Sequence, residues 1–91
     1  MTPIQTQLKW ESAAFDKYQL MITKIPLFHR VIAKQIVDKK AVMNAESRGS
    51  EIVEETDIVQ AFFSEVPKAF YSLMVRLLDE AGLDYKKYES K

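Results

Sequence analysis

The chain has 91 residues, enough for one domain with a modest core and too few for two. Hydrophobic residues make up 47% and charged residues 29%, with two Gly and three Pro, a composition that excludes collagen-like, low-complexity and disordered classes. Thirteen Lys and Arg balance thirteen Asp and Glu, so no net field draws the chain to nucleic acid or to an anionic membrane. The absence of Cys excludes disulfides, thiolate metal sites and a thiol nucleophile. No stretch reaches the ~18 apolar residues of a membrane span, and Met1 to Leu8 carries no charged region followed by an apolar run, so a cytoplasmic chain without membrane contact is expected.

In chain order, residues 1 to 8 show no sustained period and read as a flexible lead-in. Trp10, Ala14, Tyr18, Met21 and Ile25 recur at steps of three or four, which predicts a first helix over about 10–22. Pro26 lacks an N–H and biases Ile25 away from the helical region, so it ends that helix and opens the next. Phe28, Val31, Ile32, Ile36, Met43 and Ala45 predict a long second helix over about 26–47, ended by Gly49. Ser50 to Val53 is too short for a sheet and reads as an extended loop. Glu54, Glu55 and Asp57 load negative charge onto the start of a third helix over about 55–64, where the macrodipole favours it. After Val66-Pro67, the stripe Phe70, Leu73, Met74, Leu77, Leu78 and Ala81 predicts a fourth helix over about 67–81, closed by Gly82 with Leu83 folded back near Leu78. Residues 84 to 91 read as a mobile tail. The expected architecture is a single small all-α domain of four helices with a long central helix. Its core is expected from Trp10, Phe28, Ile32, Ile36, Ile58, Phe62, Phe70, Met74 and Leu77.

Few residues could carry chemistry. His29 is the only histidine, with no second His and no Cys to share a metal, and reads as a boundary residue. The acidic run Glu51, Glu54, Glu55 and Asp57 lacks the acid spacing and the central glycine of a calcium loop, and reads as a solvated helix start. No serine sits in a nucleophile-elbow setting, and two glycines are too few for a phosphate-cradling loop. Neither a catalytic constellation nor a cofactor or metal site is therefore expected.

Charge is divided within the chain. From Lys24 to Lys40, five basic residues stand against Asp38, while from Glu46 to Asp57 five acidic residues stand against Arg48. A basic second helix using Arg30, Lys34, Lys39 and Lys40 could meet phosphate or an acidic partner; solvation and attraction between adjacent segments account for the same pattern. A helix-turn-helix reading fails, because the third helix opens with Glu54, Glu55 and Asp57 and offers no Arg, Lys or Asn to base edges.

Trp10-x-x-Ala13, Ile25-Pro26-Leu27-Phe28-His29-Arg30 with Lys34 one turn on, Ala45-x-x-x-Gly49-x-x-Ile52-Val53, and Ile58 form an ordered series. It resembles the small C-terminal domain of the B subunit of light-independent protochlorophyllide reductase, over about Trp10 to Ala61. The family pattern reads W-x-x-x-A, I/V-P-F-F-V-R, A-x-x-x-G and I-T. Here the interval from Arg30 to Gly49 is about one helical turn longer, and Val53 stands where a capping Thr is usual, which leaves Thr56 as a later cap. The reductase's catalytic machinery lies in other domains and uses cluster ligands, so the resemblance implies an accessory helical module without reductase activity. Gly49-x-x-Ile52 followed by Thr56-Asp57-Ile58-x-x-Ala61 is also similar to the end of a histone-type fold. Two functions follow as expectations. The first is a non-catalytic module with a protein partner or self-association; the alternative is a histone-like dimer that binds nucleic acid through Arg30, Lys34, Lys39 and Lys40.

Overall fold

A computed structural model describes residues 8–88. Four α-helices dominate it: α1 over Ser12–Lys24, α2 over Leu27–Ser47, α3 over Glu55–Glu65 and α4 over Tyr71–Ala81. Two short strands, β1 over Lys9–Trp10 and β2 over Ile52–Val53, pair in parallel, with Lys9 beside Ile52 and Trp10 beside Val53. The chain is thus a small all-α domain with little strand. Leu8 packs against the core, while the rest of the expected lead-in and residues 89–91 of the expected tail lie outside the described residues.

Helix ends follow local chemistry. The Glu11 carboxylate accepts from the Ala14 and Ala13 amides at 2.7 and 3.3 Å, occupying donors that the first turn of α1 leaves unpaired. Both glycines terminate helices at positive φ, Gly49 at 74° and Gly82 at 82°. After α2, Ser50 N–H donates to the Ala45 carbonyl and Gly49 N–H to Glu46; after α4, Leu83 donates to Leu78 and Gly82 to Asp79. Each is the paired pattern of a Schellman ending, and Leu83 is buried against α4 as expected. The fourth helix starts later than its stripe suggests: Lys68–Phe70 form a single 3-10 turn, and the α-helix begins at Tyr71.

The core is built where α1 meets α4 and where α2 meets α3. Ala14, Tyr18, Met21 and Ile22 come from α1, and Ile58, Val59, Ala61 and Phe62 from α3. Helix α4 adds Met74, Leu77, Leu78 and Ala81, with Val53 closing one end. From α2 come Val37, Ala41 and Ala45, whose small side chains let its backbone approach α3 closely.

Four expectations are corrected. Ile58, Phe62, Met74 and Leu77 are buried as expected, but Phe28, Ile32, Ile36 and Phe70 are exposed and Trp10 is half-buried. Helix α2 has two apolar faces, and periodicity alone does not say which one meets the core. The extended loop at Ile52–Val53 is half of a two-stranded pairing, which also ties Glu11 N–H to the Val53 carbonyl at 2.9 Å. A two-residue bridge is too short to show a period-2 pattern. The tail does not extend freely from Gly82: Lys86–Tyr88 form a 3-10 turn, and Tyr85 and Tyr88 pack onto the core. Thr56 does not cap α3. Its hydroxyl is paired with the Tyr88 hydroxyl, and Glu54 is the cap residue.

Candidate functional site

Two members of the acidic run that reads as solvated, Asp57 and Glu55, are built into the fold, while Glu51 and Glu54 are exposed. Asp57 is 1% exposed, and its carboxylate accepts from Arg48 Nε at 2.8 Å, Arg48 Nη2 at 2.6 Å and the Glu54 amide at 2.8 Å. The pair joins the end of α2 to the start of α3 across the Gly49 turn, and it raises the Arg48 pKa above the ordinary guanidinium value through the hydrogen bond to Asp57. Glu55 bridges Lys17 of α1 at 3.3 Å and accepts from the Asp84 amide at 2.6 Å, which fixes the chain beyond α4. These carboxylates serve the scaffold. Among the described residues, no three His, Cys, Asp or Glu side chains gather into a metal-holding group, and no helix is long and apolar enough to cross a membrane.

The four basic residues named from sequence do not converge. Arg30 donates to the Ile25 carbonyl at 2.9 and 3.1 Å and to the Thr23 carbonyl at 2.9 Å, so it clasps the α1–α2 junction and satisfies acceptors that the end of α1 leaves open. Lys34 pairs with Asp38 at 2.8 Å, and Asp38 in turn accepts from the Tyr18 hydroxyl at 2.6 Å. Lys39 is exposed on the opposite side of the helix, and Lys40 is half-buried between the two sides.

Apart from Lys39, which stands in the same arc, the side of α2 turned away from the core is largely apolar. Phe28, Ile32, Ile36 and Met43 share an arc of about 80° around the helix, and the core-facing Val37, Ala41 and Ala45 share another of about 80° on the opposite side. Phe28 is 87% exposed, Leu27 72%, Val31 63% and Ile32 61%. Beside this stripe runs an open groove of about 430 Å³ between α2 and α4. Met21, Val37, Phe62, Met74 and Leu77 form its buried floor, with Ile32 and Ile36 along one wall and Phe70 and Leu73 along the other. The two proline breaks, Ile25-Pro26 and Val66-Pro67, also line it. Among the described residues, His29 and Glu65 are its only polar lining residues, and the His29 ring meets Phe28 edge to face at 5.1 Å.

Sequence reasoning placed Phe28, Ile32, Ile36 and Phe70 inside the core and so missed this face. The signal was present in α2 as two apolar stripes, Phe28-Ile32-Ile36 and Val37-Ala41-Ala45, on one helix. No protein-family model, curated protein or solved structure matches the chain.

Proposed function

We propose that this chain is a non-catalytic interaction module that docks through the exposed apolar face of α2 and the adjoining groove, an accessory role like that of the protochlorophyllide reductase C-terminal domain its sequence resembles. One observation carries the reading: a contiguous apolar surface centred on Phe28 and Ile32 stands in solvent on a helix whose opposite face already fills the core. Exposed apolar patches of this extent mark binding surfaces in folded proteins. The groove's long apolar walls suit side chains of another protein, and its two polar residues are too few to hold and orient a reacting substrate.

The nucleic-acid alternative receives less support. Arg30 and Lys34 are engaged within the chain, and Lys39 and Lys40 do not lie beside them on one face, so these four residues form no basic stripe to follow a phosphate backbone.

Replacing Phe28 with a photo-crosslinking residue in the cell tests the docking reading. Adducts are expected at Phe28 and not at the exposed Glu51, beyond the far end of α2; equal adduct yields at both sites, or none at Phe28, would overturn it.

A further inference from the structure

Resting on that reading, we propose that the occupant of the face is a second copy of this chain, in a two-fold dimer that packs the N-terminal half of α2 against itself in antiparallel fashion. Size supports this first. On the stripe and the facing wall of the groove, Phe28, Ile32, Ile36 and Phe70 together expose apolar surface on the order of 450 Å², taking about 150–200 Å² for a fully open side chain. That lies within the range of the largest apolar patch of a monomer, about 300–600 Å², and matches the apolar share, about 57%, of the ~800 Å² that each partner contributes to a stable interface.

Symmetry of pattern is the second support. An isologous interface must be complementary to itself, with each residue meeting its counterpart's neighbours in both directions. The stripe Phe28-x-x-x-Ile32-x-x-x-Ile36 is evenly spaced and apolar on both sides of Ile32. An antiparallel copy therefore sets Ile32 against its twin near the axis and Phe28 at the level of Ile36 of the second copy. Charge is the third. Between Pro26 and Val37 the only charged residues are Arg30 and Lys34, which lie on the core side, Arg30 held by backbone carbonyls and Lys34 by Asp38. The two copies bring no like charges together within the stripe, and with thirteen charges of each sign they carry no net repulsion at distance.

Light scattering across a concentration series, from low micromolar to sub-millimolar, tests the dimer. The wild-type chain is expected at twice its monomer mass. Ile32→Glu, at a site 61% exposed in the single chain, is expected to keep the helical circular dichroism while weakening dimerisation about a hundredfold or more, because it sets two carboxylates on the axis. Ile32→Lys behaves likewise, and an equimolar mixture of the two variants is expected to recover the double mass as a mixed pair. A wild-type chain that stays monomeric at the highest concentration, or an Ile32→Glu chain that dimerises unchanged, overturns the proposal. If the wild type is monomeric and the Phe28 photo-crosslinker still captures a different protein, self-pairing fails while the docking reading survives; if it captures nothing, both fail.

Discussion

Among the described residues, Tyr18 and Asp57 are the two side chains with polar groups that the fold buries, and each depends on a partner near the surface. The Tyr18 ring is fully buried and stacks on Trp10 with centroids 5.5 Å apart, while its hydroxyl donates to Asp38. Burial first, and then the Asp38 carboxylate that accepts its proton, push the Tyr18 pKa well above the ordinary phenol value. The unfolded chain loses that proton at about pH 10, whereas the folded chain keeps it. The contribution of this group is therefore fully present below about pH 10 and is lost as pH rises further, with a slope of up to about 1.4 kcal/mol per pH unit. Urea unfolding midpoints measured at about pH 8 and pH 11 should fall more steeply for the wild type than for Tyr18→Phe. At neutral pH the variant should lose about 1 kcal/mol for the missing hydrogen bond. Asp57 tests the second case. Asp57→Asn removes the charge that holds Arg48 across the α2–α3 turn; since the Arg48 side chain is 40% exposed and can return to water, urea unfolding should show a loss of about 2–3 kcal/mol, at or below the lower end of the about 3–5 kcal/mol for a broken buried pair. The sequence displays Arg48 among five acids, but nothing in the spacing distinguishes Asp57 as the buried one, because that depends on how the Gly49 turn folds α3 back against α2.

At the level of helices and turns, the parts most legible in the sequence are those governed by local chemistry. Pro26 and Pro67 interrupt helices where expected, and Gly49 and Gly82 end them, because a positive φ is costly for any residue with a Cβ. Gly49→Ala isolates this effect. Beyond its own chain neighbours, no described atom lies within 4 Å of the added Cβ, so the expected loss, about 1 kcal/mol in thermal or urea unfolding, comes from the positive φ and not from crowding by the rest of the fold. Elements that depend on distant partners were hidden. Residues Ile52–Val53 pair with Lys9–Trp10 more than forty positions away, and no local pattern in either dipeptide announces the other. Residues Tyr85 and Tyr88 look like part of a charged tail, yet Tyr88 reaches Thr56 and lies against Phe63, contacts that exist only once α3 and α4 are in place.

For the molecule as a whole, the division of α2 between core and surroundings decides the functional reading. The long helix was legible, and so was its wealth of apolar residues, but the larger side chains were the natural choice for a core. In the structure the smaller set, Val37, Ala41 and Ala45, is buried, since only small residues allow α2 and α3 to approach closely, and the larger set is left outside. The most direct test of this division compares thermal unfolding of two single variants, Ile32→Glu and Val37→Glu, placed five residues apart on one helix. The account predicts that Ile32→Glu retains its helical signal and unfolds cooperatively, whereas Val37→Glu, which buries an unpaired carboxylate at a site 2% exposed, does not fold. Loss of folding in Ile32→Glu, or a cooperative transition in Val37→Glu, would contradict it.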